Sequence, residues 1–444
     1  MCSLYENQRK AGLEIINNYN EGALWNVLLS QMQSGKTGAY NFIACETIRS
    51  NLKPSVLIFT GTSDTELMKQ TRERFYEFVY NIYNNYLEDE GFSREDRDII
   101  KNKIKKNTQI LSPSQLKKIK KKITNSLLIQ DESHYAQNID MGPYAFLKSQ
   151  DLTIYGNPNG KILEKTDNIF LSVSATPFSE IINMKKFNDP LKKLVIMETD
   201  PSYIGVKKLM DLERITFFED SLDSFEEALS LNFDKNKYAV IRTSSKNSQD
   251  YQKIAKNMGW KIKYFDSNDD KNEENRILSI DELNEAPIQP TVIFIKEMLR
   301  MGKTIPKQHL AFVMETAKNS KTDTLLQGLV GRICGYYDIN YDVHALVHIS
   351  HLHREDMDKY IGLCDGDEVI PSYAMNVKCG RKNKNSKLNT QDLSLVTCDL
   401  EKDIETFVEP DIFKFQLPKT TGKEMYYIGN PQLIVNQYNK IVEF

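Results

Sequence analysis

The chain is predicted to be an α/β protein built as two successive parallel-sheet blocks with a C-terminal extension. Three observations carry this. Short apolar runs alternate with amphipathic helical stretches over roughly residues 1–200, the signature of parallel βαβ units. A second alternation of the same kind fills 201–350, and the pattern fades over 351–444. At 444 residues the chain is also too long for one hydrophobic core.

In the first block, "WNVLLS", "SVLIFTGTS", "SLLIQDE" and "NIFLSVSAT" read as buried strands that end in small or polar residues. "TGAYNFIACETIRSN" and "DTELMKQTRERFYEFVYNIY" are the helices between and after the first two. In the second block, "KYAVIRTSS", "KIKYFDS", "TVIFIKEML", "HLAFVME" and "VHALVHIS" are strands, with helices at "QDYQKIAKNMGW" and "TDTLLQGLVGRICGYY". Glu198 to Phe218 is expected to be the linker, and the polar, basic "NVKCGRKNKNSKLNTQ" an exposed loop. Parallel sheets gather ligands at the carboxyl ends of their strands, so chemistry is expected there.

Composition sets outer limits. A net charge of −3 excludes a globally basic nucleic-acid binder but leaves room for a local basic groove. The start "MCSLYENQRKAG" has no apolar h-region, and no run approaches a membrane span, so neither secretion nor membrane insertion is expected. Six scattered cysteines without a C-x-x-C pair suit a reducing intracellular compartment better than a zinc site or disulfide framework.

Three motifs carry chemistry. "LLSQMQSGKTGAY" sets Gly35-Lys36-Thr37 after an apolar run, as in the phosphate loop G-x-x-x-x-G-K-[ST], with Ser30 at the first glycine position. In that reading the backbone N–H groups from Gln33 through Ser34 and Gly35 to Lys36 face phosphate, with Gly38 opening the helix. Lys36 reaches the β/γ oxygens and the Thr37 hydroxyl binds Mg²⁺. The bland reading is a polar strand-to-helix turn, but a lysine there opposes the helix dipole unless an anion compensates it. "LLIQDESHYAQ" delivers Asp131 and Glu132 at a strand end, suiting a metal-holding carboxylate and a general base for the attacking water. A polar strand end followed by a turn would look similar. "LSVSATPFSE" adds Ser174 to Pro177, which also fits a plain turn.

Taken in order, GKT, DESH and SATP resemble motifs I, II and III of the superfamily 2 helicases, the DExH-type nucleic-acid motors. The flavour is most similar to the helicase-like part of Z1-type and type III restriction-type ATPases. The resemblance implies two RecA-like (P-loop NTPase) lobes with ATP and Mg²⁺ between them. It also implies that Gln8 reads the adenine edge with Tyr5 nearby, that Thr60 to Gln70 is motif Ia on the nucleic-acid backbone, and that Arg332 in "LLQGLVGRICGYY" is the arginine finger of motif VI. Motif VI usually reads Q-x-x-G-R-x-x-R. Here Gly328 stands at the glutamine position with Gln327 one residue earlier, and Gly335 replaces the second arginine. Gln33 likewise replaces a usual motif I glycine. "MLRMGKTIP" lies where motif V belongs, with Arg300, Lys303 and Thr304 as backbone contacts or lobe-coupling residues; Pro306 argues against a second phosphate loop.

Two further features are weighed the other way. Nine lysines between Lys101 and Lys122 are a solvated face sooner than a nucleic-acid path. His344, His348, His351 and His353 are structural or surface residues sooner than metal ligands. The sequence therefore leads to an ATP- and Mg²⁺-dependent helicase or translocase acting on nucleic acid, DNA ahead of RNA. A nuclease or other protein partner would supply any cleavage. The rival from another class is a nucleic-acid-binding ATP switch, or the motor subunit of a restriction or recombination assembly, that unwinds nothing. A small-molecule kinase needs neither the DESH strand end nor an arginine so far beyond Lys36.

Overall fold

The computed structural model describes residues 4–60, 65–134, 142–152, 160–178, 180–181, 184, 190–243, 248–265, 275–277, 279–295, 305–318, 322–337 and 345–367, with the backbone of 395–396, 412–416 and 424–428. They fall into two compact units. The first comprises Met1–Ser30, Gly35–Glu198 and Met375–Phe444; the second comprises Gln31–Ser34 and Thr199–Ala374.

The first unit holds a six-stranded sheet of β1 (Trp25–Leu29), β2 (Ser55–Thr60), β3 (Thr108–Leu111), β4 (Ser126–Asp131), β5 (Ile169–Ser174) and β6 (Lys192–Ile196). Its order is β3-β2-β4-β5-β1-β6, and every pairing is parallel. The strands are apolar on both faces because both faces are covered. Leu28, Ile58, Ile129 and Val173 join the core beneath helices α1 (Glu6–Asn20) and α2 (Lys36–Arg49). The alternate residues Trp25, Val27, Phe59, Leu128 and Phe170 join the opposite core with Phe146 and Leu147. The period of two thus sorts one strand's side chains between two cores. Helix α3 (Thr65–Glu77) follows β2.

The second unit opens with the two-residue strand β7 (Tyr203–Ile204) and then builds its own six-stranded sheet. The members are β8 (Ile215–Phe218), β9 (Tyr238–Arg242), β10 (Lys261–Phe265), β11 (Thr291–Ile295), β12 (Leu310–Glu315) and β14 (Leu346–Ser350), in the order β10-β11-β9-β12-β14-β8, again all parallel. β13 (Gly335–Tyr336) pairs antiparallel with β7. A further antiparallel sheet, of three strands, joins β15 (Leu395–Val396), β16 (Ile412–Gln416) and β17 (Glu424–Ile428). Two parallel α/β sheets are what the alternation predicts. The expected linker Glu198–Phe218 is a correction: it contains β7, the helix Val206–Asp211 and β8, which pairs with β14. Among the described residues no helix is long and apolar enough to cross a membrane.

Candidate functional site

Strand order brings three motifs to one place. β4, β5 and β1 are neighbours, so their carboxyl ends lie within about 10 Å of one another at the usual spacing between strands. β1 leads into the stretch before α2, β4 ends at Asp131 and β5 ends at Ser174. Backbone bonds lock the ends together: Ser30 N–H donates to the Ser174 carbonyl at 3.1 Å, and Ser133 N–H to the Val173 carbonyl at 3.0 Å.

Helix α2 begins at Lys36, with Gly35 as its N-cap at φ 99°, where a glycine avoids the cost other residues incur. No side chain caps this end, and its first turn holds no acid. The uncapped N–H groups and the dipole therefore favour an anion there. The first turn carries Lys36, whose ammonium donates to Glu132 Oε1. In this structure, Glu132 is the compensating anion that a lysine at a helix N-terminus requires.

Glu132 is buried and adopts a left-handed backbone, φ 51°. For a residue other than glycine this costs roughly 1–3 kcal/mol, and unlike the left-handed Asp151 and Asp167 of exposed turns, Glu132 bears it while buried. His134 supports it, with Nδ1 at 3.4 Å from Glu132 Oε2 and 2.9 Å from Ser174 Oγ. Ser174 Oγ also accepts the Thr176 N–H at 3.0 Å, so the SATP strand end is tied directly to the DESH turn. Asp131 accepts the Glu132 N–H at 2.9 Å and faces the Tyr40 hydroxyl at 3.3 Å. Burial and the adjacent Glu132 carboxylate push the Asp131 carboxyl up to about 6, against the opposing pull of Lys36. A cation beside the Asp131 carboxylate would reverse that shift. Tyr40 was not anticipated; the helical spacing from Lys36 to Tyr40, one turn along α2, was the available signal.

Gln8 is buried on α1 and its Nε2 donates to the Gly35 carbonyl at 2.9 Å. A Cβ at Gly35 or Gly38 would stand 2.5 Å from the Gln8 amide. A side chain at either position would displace the Gln8 amide from where it lies. The Tyr5 N–H donates to Gln8 Oε1 at 3.4 Å, while the Tyr5 ring is exposed.

Gln33 stands where motif I usually has glycine, and its backbone keeps the glycine-type conformation, φ 58°. With Ser34 it clusters in the second unit, where Gln33 Nε2 donates to the Gly331 carbonyl at 3.0 Å. Ser34 is buried, and its Oγ donates to the Gln31 carbonyl at 2.7 Å.

Arg332 lies in the second unit, buried, its Nε donating to the Gly328 carbonyl at 3.1 Å. The irregular motif has a local explanation. Residues Leu326–Val330 form a π-helical turn between the helices Thr322–Leu325 and Gly331–Ile333. A π turn takes up one additional residue, which is the extra spacing between Gln327 and Gly331-Arg332. Gly328 is imposed by Arg242, whose Nη1 would be 2.1 Å from a Cβ there. Arg242 is itself paired with buried Glu315 at 3.2 Å. Gly335 has φ 129°, a conformation that excludes the expected second arginine without strain. The predicted helix through Tyr337 therefore stops at Ile333.

Of the remaining predicted positions, Thr60 ends β2, whereas 61–64 of motif Ia lie outside the described residues, as do Arg300, Lys303, Thr304 and His344. His348 and His353 are buried, and His351 Nδ1 is 3.1 Å from the Phe218 carbonyl.

Residues 1–179 match the family model described as type III restriction enzyme, res subunit, a superfamily 2 helicase-like domain. The resemblance read from the motifs is thereby met over the first unit's motif-bearing residues. Over 388 residues the chain is 24% identical to the uncharacterized protein L594 of Acanthamoeba polyphaga mimivirus, covering 82% of this chain and 89% of that one. Among solved structures it is similar to S. cerevisiae Dbp5 bound to RNA and ADP BeF3, with 13% identity, a TM-score of 0.42, and coverage of 82% of this chain and 92% of that one. It is also similar to the DEAD-box helicase Mss116 bound to ssRNA and UDP-BeF, with 12% identity, a TM-score of 0.47, and coverage of 83% and 74%.

Proposed function

We propose, from the res-subunit family match of residues 1–179 together with the Lys36–Glu132–Asp131 constellation, that this chain is a nucleic-acid-dependent ATPase of superfamily 2, a helicase or translocase. The observation that carries the reading is the pairing of a helix-N-terminal lysine with a buried, left-handed acid at the end of β4. Asp151 and Asp167 are left-handed acids paired with lysines too, but in exposed turns; Glu132 is buried, beside the start of α2 and the carboxyl ends of β4 and β5.

ATP is the substrate. The N–H groups at the start of α2 and the Lys36 ammonium bind its phosphates, and Gln8 meets the base. Thr37 and Asp131 would hold Mg²⁺, which supplies charge neutralisation on the phosphoryl oxygens. On phosphate binding Lys36 turns from Glu132 to the anion, and Glu132 is released to take the proton of the attacking water. His134, bonded through Nδ1 to Ser174, keeps the Glu132 carboxylate oriented. Arg332 is the proposed finger that neutralises charge on the transferring phosphoryl group.

The partner is nucleic acid, DNA ahead of RNA. Gly335 in place of a second motif VI arginine favours ATP-driven stepping or clamping over strand separation, the mode of a motor subunit whose assembly supplies other activities. The test is ATP turnover measured in parallel without nucleic acid and with single-stranded DNA, duplex DNA and RNA. Stimulation by at least one polymer is expected. Turnover indifferent to all of them would overturn the nucleic-acid reading, and no turnover at all the ATPase reading.

A further inference from the structure

The lysine run weighed in the sequence as a solvated face forms something more specific. At the amino end of the first sheet, away from the phosphate loop, a groove of about 450 Å³ is lined by the starts of β2 and β4, by Gln109 of β3 and by the segments around Lys106 and Lys121. We infer that this groove is a second nucleic-acid contact, one that takes the phosphodiester backbone through Lys106 and Lys121, independent of the ATP site.

Charge comes first. The lining residues include Lys106, Lys121 and Lys122 and no carboxylate. The neighbouring acids are already engaged: Asp151 with Lys122 at 2.5 Å, and Asp167 with Lys53 at 2.6 Å. Lys122 also donates to the Ser149 carbonyl at 2.5 Å, which makes it a structural lysine. Lys106 and Lys121 are exposed and converge on the groove with no carboxylate partner among the described residues. Two cations facing one concavity repel unless an anion bridges them.

The lining then selects the kind of anion. It holds no aromatic ring, so bases have nothing to stack on, while exposed Gln109 and Thr124 offer polar contacts beside the lysines. Such a surface reads backbone phosphate and not sequence. Position separates it from the motif Ia end of β2. Ser55 and Thr60 lie at opposite ends of that strand, roughly 17 Å apart at the ordinary rise per residue. A strand held here is held outside any track across the carboxyl ends, so the groove acts as an anchor.

The experiment compares the full chain with the Lys106→Glu/Lys121→Glu double variant, using anisotropy of a fluorescent oligothymidylate over a salt series. Both lysines are exposed, so folding is expected to survive, and circular dichroism with the melting temperature reports on it. Affinity should fall about tenfold or more, and the slope of log K against log salt should shrink by about 1.4, the loss of two single-strand phosphate contacts. Amine acylation read by mass spectrometry should show Lys106 and Lys121 shielded by bound oligonucleotide. Unchanged affinity and slope would overturn the inference. So would weakened binding with neither lysine shielded, which marks a long-range effect of net charge, or shielding removed by inorganic phosphate alone, which marks a small-anion site. Because binding is read without ATP, failure of the ATPase reading would leave this result standing or falling by itself.

Discussion

The Lys36 ammonium donates to the Glu132 carboxylate, joining the first residue of α2 to the turn after β4. This one ion pair satisfies a cation at the wrong end of a helix dipole and a carboxylate in a strained, buried turn. Each group thus answers the other's electrostatic need in this structure.

Lys36→Ala should abolish ATP turnover and weaken nucleotide binding, because the point charge on the phosphates is gone. It should also lower stability, by up to ~3–5 kcal/mol, since a buried carboxylate loses its cation. The double variant Lys36→Ala/Glu132→Gln should regain part of that stability without regaining turnover. Denaturant midpoints and turnover on the same preparations check both. Wild-type turnover in the single variant would remove the phosphate-loop assignment.

Glu132→Gln should keep nucleotide bound while hydrolysis falls by ~10²–10⁴, the usual worth of a positioned base. The amide keeps the shape and still meets Lys36 but takes no proton. Fluorescent-nucleotide titration beside a turnover assay separates the two effects. A variant that fails to bind would make Glu132 structural.

Much of this site was legible because central parallel strands are apolar on both faces and hand polar residues to the sheet's carboxyl edge. β1, β4 and β5 announce themselves this way, and with them Lys36, Asp131 and Glu132. Three edge strands did not. β3 is four residues long, β6 begins with Lys192 and Lys193, and β8 lay hidden in the supposed linker. Edge strands pack on one side and carry charge, so their apolar signal is diluted. The π turn before Arg332 was invisible for another reason: only the backbone shows where an extra residue is absorbed.

Gly38→Ala should force the Gln8 amide away, because the new Cβ would lie 2.5 Å from its Oε1 and Nε2. If Gln8 reads the adenine edge, Gly38→Ala and Gln8→Ala should each reduce the preference for ATP over GTP, by about tenfold for the hydrogen bonding lost. The two effects should not add, since they act on one side chain. Competition titrations with both nucleotides on the single and double variants decide it; additive losses would separate Gly38 from Gln8.

His348 sits in β14 against Phe312, ring centroids 5.3 Å apart, and burial holds its imidazole down at about 4 from an ordinary 6.5. The folded state thus resists the proton that the unfolded chain accepts. Stability contributed by neutral His348 is present above the unfolded value and is lost as pH falls from about 6.5 to about 4, by up to ~3 kcal/mol. His348→Phe cannot titrate and keeps an aromatic ring beside Phe312. Melting temperatures across that window should fall less steeply for the variant than for the wild type. Parallel curves would mean that His348 takes up its proton without unfolding the sheet.

The boldest test concerns Arg332. It is buried, and its side-chain Nε is bonded to the Gly328 carbonyl inside the π turn. As a finger it stabilises charge that develops only in the transition state, which leaves ground-state nucleotide binding largely to Lys36 and the start of α2. Arg332→Ala should therefore lower kcat by ~10³ or more, with nucleotide affinity changing far less. Stimulation by nucleic acid should also vanish, because a polymer that favours the productive state gains nothing once the finger is absent. Arg332→Lys keeps the charge but not the planar fork and should recover only a small part. A merely structural arginine would lower melting temperature, affinity and turnover together. Undiminished stimulated turnover in Arg332→Ala would exclude it as the finger and direct attention to Arg300.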